Sequence, residues 1–457
     1  MKKISKNFPP VKKYKIAIFF EEDYLGVYPS LINGIRFLAN EGHTIDIIGT
    51  SKKSDFPPPP KFEGNVTFRN LAQNYKRDRK YENEIENEIN LGIPNSLSRK
   101  KRLSIKYYIP NIAKIKYRFC RDLVKENLLS FKSNKKENIY FLKYLFFAAR
   151  CSAKKKYDIC FGIDTYGMIA ALCSRFFISY KLHFFWALEF TEPPKNMFWE
   201  TVLKKLETIS HQKSDFLITQ DENRAKSLCN LNKVKYQKQK FISVPHSKNS
   251  SEKLNNTYFF KNKFNTKDND TLILHAGWIH DVMDSLSLAS STNDWPSNYK
   301  LIFHERMKRS PQDSYIKKMK KVCSQNTYFS LDPVSYDKLN EVLLSADIGI
   351  VNYKIGLDSA SWSNLTKASG KIADYLSCGL PVLCSHFDGI DKLINKYKFG
   401  LVFKSYDEIP SCVEKILSDY EYYSKNALNC FEREYNFSND FSMVANIFKQ
   451  IKSVNTF

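Results

Sequence analysis

The feature that most constrains the fold is an alternation of short apolar runs with helical patterns, which occurs twice along the chain. Such an alternation is the pattern of stacked βαβ units, which form a parallel sheet. The first series predicts helices at 29–40 and 166–177 and strands at 15–20, 44–48, 157–161, 181–188, 216–219 and 241–245. The second series predicts a helix at 337–346 and strands at 271–275, 299–304, 348–351 and 381–384.

Two such series predict an α/β protein with two Rossmann-like, doubly wound parallel-sheet domains that face a cleft. We place the N-terminal domain at 1–245, with a basic insert at 74–136, and the C-terminal domain at 246–435. The last segment, 436–457, is predicted to be a helix that could pack back on the N-terminal domain. Ligands of open α/β sheets bind beyond the carboxyl ends of the strands, so we expect the chemistry in the cleft.

The charge balance indicates anionic partners without choosing among them. Lys and Arg number 71 against 48 Asp and Glu, which gives a formal net charge of +23. Such a surplus attracts nucleic acid, anionic lipid or phosphorylated substrates. A genome that favours Lys, Asn and Ile would produce the same surplus, so the charge alone does not decide the function.

Cysteine usage and hydropathy indicate the compartment. The ten cysteines are scattered without a C-x-x-C pair, which argues against a zinc site and a disulfide scaffold and favours a reducing compartment. No signal-peptide pattern follows Met1, and the longest candidate for a membrane span, 140–149, is short and interrupted by Lys143. We therefore expect a cytoplasmic protein without a transmembrane anchor.

The segment 368–384 carries the clearest chemical signal. Ser369 and Gly370 open a predicted helix, and free backbone N–H groups at such a start form an anion site suited to a diphosphate. Lys371 adds a positive charge there, and Asp374, three residues on, could accept hydrogen bonds from ribose hydroxyls. The same spacing would also suit an ordinary surface turn with a Lys–Asp pair.

This segment, ASGKIADYLSCGLPV at 368–382, resembles the donor-binding segment of GT-B glycosyltransferases. It is similar to that of the family-4-like enzymes that build bacterial surface polysaccharides, in which sGK-x-x-E-Y-L-x-x-G-x-P-V recurs. Weaker similarities follow the family order over residues 14–435, at 157–159, 214–221, 242–245, 274–278 and 345–350. The resemblance implies a GT-B fold whose C-terminal domain binds a nucleotide-diphosphate sugar.

The implied donor site combines a glycine turn with the donor helix, and its residues are Gly277, Ser369, Gly370, Lys371 and Asp374. Many retaining members of the family carry Glu-x7-Glu ending at the position of Asp374. Eight places earlier this chain has Thr366, which leaves the choice between retention and inversion open.

Two further positions are candidates for the site, one facing the diphosphate and one facing the acceptor. The Arg/Lys pair often found after Gly277 is replaced by the sequence WIHD at 278–281, so Arg306 or Lys308 could neutralise the diphosphate instead. Glu189 follows a predicted strand, where a carboxylate could act as acid or base on an acceptor hydroxyl. A surface carboxylate at a strand end would look the same in the sequence.

No metal site is predicted. Asp268-Asn269-Asp270 has the form D-x-D, but it precedes its strand instead of following one and is predicted to be a solvated loop. His275 and His280 flank the turn at Gly277 and are predicted to be structural histidines.

The basic insert allows two interpretations. Arg99-Lys100-Lys101-Arg102 and the basic residues that follow alternate with Ile, Tyr and Phe. This pattern suits a membrane-surface helix on anionic lipid, and it equally suits a solvated helical pair that covers the N-terminal domain.

We therefore predict a metal-independent glycosyltransferase of the hexosyltransferase type. It would move a sugar from a nucleotide-diphosphate sugar to a glycan or lipid-linked acceptor in cell-surface polysaccharide biosynthesis. It would need no cofactor, bind no nucleic acid, and lie in the cytoplasm or peripherally on the inner face of the membrane. The alternatives are a sugar-nucleotide epimerase of the same fold and a basic nucleic-acid-binding protein.

Overall fold

A computed structural model of the chain describes residues 12–21, 25–50, 56–71, 135–175, 177, 179–190, 198–249, 251, 257–354 and 365–451, without the side chains of 135–140 and 198–200. The basic motif at 99–102 and most of the predicted insert lie outside these residues.

The first sheet has seven parallel strands in the order β3-β2-β1-β4-β5-β6-β7. These strands are β1 (Lys15–Phe20), β2 (Thr44–Gly49), β3 (Val66–Asn70), β4 (Ile159–Ile163), β5 (Leu182–Trp186), β6 (Phe216–Thr219) and β7 (Phe241–Ser243). The helices around them are α1 (Pro29–Asn40), α2 (Lys135–Lys155), α3 (Asp164–Ser174), α4 (Phe198–Gln212) and α5 (Glu222–Leu231).

The second sheet has six parallel strands in the order β10-β9-β8-β11-β12-β13. These are β8 (Thr271–Ala276), β9 (Tyr299–His304), β10 (Thr327–Ser330), β11 (Ile348–Val351), β12 (Val382–Ser385) and β13 (Gly400–Phe403). Its helices are α6 (Phe259–Phe264), α7 (Ser285–Ser291), α8 (Ser314–Val322), α9 (Leu339–Leu343), α10 (Gly370–Ser377), α11 (Ile390–Tyr397), α12 (Ile409–Leu417) and α13 (Tyr420–Cys430), which a π-helical turn (Phe431–Tyr435) joins to α14 (Phe437–Gln450).

The predicted fold class, two doubly wound parallel sheets, is confirmed. The helix predicted at 29–40 has the observed bounds, because Pro29 suits a first helical position and the apolar face of α1 is fully buried. The sequence analysis missed β3, β10 and β13, which are all edge strands. An edge strand is covered less completely than a central one, and polar residues accordingly interrupt β3 (VTFRN) and β10 (TYFS), whereas β13 (GLVF) is apolar and was not recognised.

Some predicted bounds are wrong at the start of α3 and around α9. The helix predicted at 166–177 begins two residues earlier, at Asp164, directly after β4. The helix predicted at 337–346 is a 3-10 turn (Tyr336–Lys338) followed by the short α9. The polar stretch 246–270, which reads as a linker in the sequence, contains α6, and its first residue, His246, contacts the start of α10.

The C-terminal helix and two polar contacts join the halves of the molecule. The buried face of α14, formed by Phe437, Phe441, Val444 and Phe448, belongs to the core of the first sheet. Across the interface, Arg36 of α1 forms an ion pair with Asp337 at 2.8 Å, and Asn33 Nδ2 donates to the Tyr336 hydroxyl at 3.0 Å. The chain therefore crosses between the sheets after β7 and again at the start of α14.

Candidate functional site

The strand order places the candidate site at the middle of each sheet. In the second sheet the order reverses between β8 and β11, and in the first sheet between β1 and β4. Such switch points open a crevice beyond the carboxyl ends of the strands, where doubly wound sheets bind ligands. Gly277 follows β8 and Tyr353 follows β11, while Asp164 follows β4.

Helix α10 is held at this crevice by Tyr375. Its hydroxyl donates to the Leu274 carbonyl at 2.7 Å and accepts from the Ala276 amide at 2.7 Å, which ties the helix to the end of β8. The ring fits because position 349 is glycine, where a Cβ would lie 2.4 Å from the ring atoms. The buried apolar face of α10, which includes Ile372, Tyr375 and Leu376, thus sets the position of its first turn.

The first turn of α10 is open to a ligand. Ser369 is the N-cap, but its side chain does not cap the helix; its hydroxyl contacts the Tyr353 hydroxyl at 2.8 Å. A helix start without a side-chain cap leaves backbone N–H groups that can bind an anion. Gly370 is the first residue of the helix, as the sequence predicted for a close approach of backbone to phosphate.

Gly277 and Lys371 pack directly against each other. Gly277 has a φ of +127°, and a Cβ there would lie 2.7 Å from Lys371 Cε, so the turn accepts only glycine. The Lys371 ammonium lies 3.1 Å from Met283 Sδ, 3.5 Å from His275 Nε2 and 5.3 Å from the centre of the Tyr353 ring. The glycine turn and Lys371 therefore form one structural unit.

Lys371 lacks a carboxylate partner among the described residues. Its pKa is lowered to about 7, mainly by burial and in addition by the charge of Arg306, while Glu305 opposes the change. His275 beneath it is fully buried, and burial lowers its pKa well below the usual range, so it stays neutral. An ammonium in this setting gains from an anionic ligand, because the protein does not neutralise it.

Arg306 lies exposed over the same crevice, with its guanidinium 5.5 Å from the Trp278 ring and 5.9 Å from the ring of Phe56 of the first domain. Its backbone is fixed by the fully buried Glu305, whose carboxylate accepts from the Arg306 amide at 2.9 Å. Arg309 completes this support, contacting Glu305 at 3.2 Å. Arg306 is thus placed where it could replace the Arg/Lys pair that the sequence lacks, whereas Lys308 is exposed and makes no hydrogen bond or ion pair with any residue that the structure describes.

Asp374 has a partner that the sequence analysis did not anticipate. Its carboxylate lies 3.2 Å from the Nζ of Lys248, which also donates to Asn340 Oδ1 at 2.5 Å. Burial raises the pKa of Asp374, and the Lys248 charge opposes this. The alternative interpretation, a surface pair of Lys371 with Asp374, is therefore not the contact made; the partner of Asp374 comes from the segment that crosses between the domains.

On the opposite wall, two carboxyl groups meet at the switch point of the first sheet. Asp164 has a φ of +50°, and its Oδ1 accepts from the backbone amides of Leu188 at 2.7 Å and Glu189 at 3.0 Å. Burial raises the pKa of Asp164 to about 8. Glu189 reaches solvent but has protein packed around its carboxyl group. Burial raises its pKa, and the charges of Arg224 and Arg306 oppose this rise.

Arg224 and His246 also border this wall. Arg224 is buried, donates to Gln220 Oε1 at 2.7 Å and lies 4.2 Å from the centre of the Phe190 ring. The charges of Arg224 and Arg306 both act on His246. The charge of Arg306 acts on both Glu189 and Lys371, so these three residues border one cleft.

Four residues that border the cleft were not predicted from the sequence: Asp164, Arg224, His246 and Lys248. Asp164 follows an apolar run, which is a signal that could have been used, as it was for Glu189. The other three carry no local pattern, because one lies inside a helix and two lie in a segment that reads as a linker.

The remaining candidates are structural. Asp268 pairs with Lys261 at 3.3 Å, and Asp270 accepts from the Lys267 amide at 2.8 Å, so this stretch is a solvated loop. His280 stacks on Trp278 with ring centres 4.1 Å apart. Within the described ranges, no group of three or more His, Cys, Asp and Glu side chains could hold a metal ion, and no helix is long and apolar enough to cross a membrane.

Comparison with known proteins agrees with this geometry. Residues 292–434 match the family model described as glucosyltransferase 3-like, C-terminal domain. No curated protein matches the chain in sequence.

Solved structures share the fold at low identity. Sucrose-phosphate synthase from Thermosynechococcus elongatus aligns with a TM-score of 0.63 and 12% identity over 97% of this chain and 100% of that one. HepE from Anabaena, in complex with UDP and glucose, aligns with a TM-score of 0.58 and 10% identity over 95% and 99%. WaaG, a glycosyltransferase involved in lipopolysaccharide biosynthesis, aligns with a TM-score of 0.54 and 12% identity over 95% and 99%.

These findings confirm the predicted resemblance. The structures establish the GT-B fold, and the segment similar to a glucosyltransferase C-terminal domain includes Arg306, Lys371 and Asp374. Neither an epimerase nor a nucleic-acid-binding protein finds support in these matches.

Proposed function

We propose that the protein transfers a hexosyl residue from a nucleotide-diphosphate sugar to a glycan or lipid-linked acceptor in cell-surface polysaccharide biosynthesis. The observation that carries the donor assignment is the uncapped start of α10 beside Lys371, an ammonium without a carboxylate partner among the described residues. A diphosphate at this point would accept from the helix amides and from two cations, Lys371 and Arg306.

The donor would lie with its diphosphate at the start of α10 and its ribose toward Asp374. Gly277 lets the phosphates approach the end of β8, because no side chain covers the turn. Solved neighbours that contain UDP and UDP-glucose support a uridine nucleotide as the first donor to test. Which sugar is transferred, and to which acceptor, is left to a donor panel with product analysis.

The acceptor hydroxyl would meet Glu189 across the cleft. A base near neutrality needs a raised carboxyl pKa, and burial supplies this at Glu189. Asp164 would hold the Leu188–Glu189 backbone, so that the base is fixed relative to the donor. Because Thr366 stands where a retaining enzyme would carry an acid, the stereochemical outcome has to be read from the product.

Transfer would not require a metal ion, because the helix amides, Lys371 and Arg306 together neutralise the leaving diphosphate. Activity should therefore persist in EDTA. Loss of activity on chelation, with recovery in Mn²⁺ or Mg²⁺, would contradict this part of the proposal.

The basic motif at 99–102 would dock the enzyme on anionic membrane near a lipid-linked acceptor. Each basic residue at such a surface contributes about 1 kcal/mol, so four are sufficient for reversible recruitment. Replacing all four with Ser should release the protein from anionic liposomes at low salt and leave nucleotide binding unchanged. Equal sedimentation of wild type and variant would favour the solvated-face interpretation.

The decisive test of the donor assignment is ligand-induced thermal stabilisation. UDP or GDP, or their sugars, should raise the melting temperature of the wild type, and Lys371→Met should lose most of the effect while keeping the wild-type melting temperature without ligand. Oligonucleotides should stabilise the protein only weakly and with a steep salt dependence. Stabilisation by oligonucleotides and not by any nucleoside diphosphate would overturn the proposal.

A further inference from the structure

His246 lies where the chain leaves the first domain, against the first residue of the donor helix. Its backbone amide donates to the Lys367 carbonyl at 2.9 Å, and its ring packs edge-to-face with Tyr28 at 5.7 Å between centres. A Cβ at position 370 would lie 2.7 Å from Cδ2 and 3.4 Å from Nε2 of the ring. The Cδ2–Nε2 edge of the imidazole therefore faces the start of α10.

The hydrogen bonds of Ser30 determine which ring nitrogen carries the proton. The buried Ser30 hydroxyl donates its single hydrogen to the Pro245 carbonyl at 3.1 Å and accepts from the Ser247 amide at 3.1 Å. Its remaining contact, with His246 Nδ1 at 3.3 Å, requires the imidazole to donate. The neutral ring thus carries its hydrogen on Nδ1 and has a lone pair on Nε2.

That lone pair faces a positive environment. No hydrogen bond to Nε2 comes from any residue that the structure describes, and the helix start, Arg306 and Arg224 all disfavour a second proton on the ring. The pKa of His246 is lowered to about 4, mainly by burial and in addition by the charges of Arg306 and Arg224. Glu189 and Lys371 share the cleft, and Tyr28 is the titratable group packed on the ring.

A bound diphosphate would reverse this balance. The phosphate oxygens are acceptors, so a neutral Nε2 lone pair would repel them. The ring cannot move its hydrogen from Nδ1 to Nε2 unless the Ser30 hydroxyl gives up its hydrogen bond to the Pro245 carbonyl. One negative charge at about 4 Å raises a pKa by roughly three pH units at an effective dielectric constant of 20. This is the change that would bring the imidazole from neutral to charged near pH 7.

We propose that His246 belongs to the donor-phosphate site and takes up one proton from solvent when a diphosphate binds, so that Nε2 donates a hydrogen bond to a phosphate oxygen. The proposal rests on the donor site proposed above. It makes Ser30 a positioning residue, because the hydroxyl selects the tautomer that must be protonated for binding.

Imidazole ¹H–¹⁵N spectra test the proposal directly, with His246→Gln to assign the signal. At pH 6 the free protein should show His246 as the Nδ1–H tautomer, and saturating UDP should convert most of it to imidazolium. Inorganic pyrophosphate should do the same more weakly. A ring that stays neutral with UDP bound would overturn this inference and leave the donor site intact, whereas absence of binding by UDP, GDP and ADP would sink the donor site and the inference together.

Calorimetry in two buffers of different ionisation enthalpy measures the proton. On binding UDP, the wild type should take up more protons than His246→Gln does, by up to one. Between about pH 5 and pH 6.5, proton uptake by His246 should raise the Kd for UDP up to tenfold per pH unit, and this contribution should disappear in the variant. Lys371→Met is the matched control when it is measured at UDP concentrations that saturate its weakened site, since it removes the proton taken up by the lysine and should keep the His246 contribution. Ser30→Ala should bind UDP with reduced proton uptake, because its histidine can donate from Nε2 as a neutral ring. Equal uptake in wild type and His246→Gln would contradict the proposal.

Discussion

The two walls of the cleft respond to burial in opposite ways. On the C-terminal wall, burial lowers the pKa of Lys371 to about 7, and on the N-terminal wall it raises the pKa of Asp164 to about 8 and also raises that of Glu189. The same physical cause, loss of solvation, disfavours the charged form of each group. Cation and carboxyl groups with pKa values displaced toward neutrality can then exchange protons near physiological pH.

The difference shows how one cleft serves two partners. The cationic wall lacks counter-charges for Lys371 among the described residues, so an anionic donor would supply them. The carboxyl wall has the proposed base, Glu189, whose backbone amide donates to a second carboxyl group, and this arrangement would suit an acceptor that must lose a proton. The following predictions separate the two walls, from the largest expected effect to the smallest.

The largest effect is expected from Glu189→Gln. If Glu189 is the general base, its amide analogue should lower kcat by roughly 10²- to 10⁴-fold, because proton removal from the acceptor is lost. The Kd for UDP should stay within about twofold, since the change is on the acceptor wall. Glu189→Asp, which keeps a carboxyl group at a changed distance, should retain more activity than Gln. Wild-type kcat in Glu189→Gln would remove the base from this wall.

The cationic wall is tested by Lys371→Met, which keeps the stem that packs over Gly277. Loss of the charge from the diphosphate should lower kcat at least tenfold, or about 1.4 kcal/mol in the barrier, and weaken UDP. In the wild type, binding should weaken as pH rises above 7, because the lysine loses its proton and only the charged form attracts the phosphate. Titrations of UDP between pH 6.5 and 9 should show a shallower dependence in the variant; parallel curves would contradict the role of Lys371.

Asp164→Asn separates positioning from charge on the carboxyl wall. The folded protein retains a proton on Asp164 that the unfolded chain loses, so this contribution to stability is complete below about pH 4 and lost as pH rises to about 8. Asparagine cannot ionise, and its oxygen can still accept from the amides of Leu188 and Glu189. The melting temperature of the variant relative to wild type should therefore rise between pH 5 and pH 8, while kcat falls by up to about tenfold. A constant difference across this range would show that the group does not titrate as described.

The smallest effect is expected at the ribose end of the site. Asp374→Asn should weaken UDP binding by about tenfold or less, roughly the loss of one charge-assisted hydrogen bond, and leave kcat at saturating donor nearly unchanged. Lys248→Met should give part of the same loss, because the ammonium holds the carboxylate at 3.2 Å. Calorimetry on both single variants and the double variant measures the coupling; additive losses would show that Lys248 does not act through Asp374.

Much of the cationic wall could be predicted because its sequence signals are local. The glycine turn after β8 and the Ser369-Gly370-Lys371 helix start are short patterns whose backbone consequences follow from their residue types. Arg306 needed one further step, the assumption that successive strands end at the same edge. In contrast, the edge strands β3 and β10 escaped prediction because polar residues interrupt them, and β13, although apolar, was not recognised in a run of four residues.

By itself the sequence determined the fold class, two doubly wound sheets, and the donor segment, since both depend on periodicity and on residues close together in the chain. Only the tertiary structure decided the charge partners. Lys248 meets Asp374, Ser30 orients His246, and Asp164 holds the backbone of Glu189 because separate strands and crossing segments converge at the switch points. The protonation of these groups was likewise decided by packing, because a pKa depends on the solvent and charges around a side chain, which its neighbours in sequence do not specify.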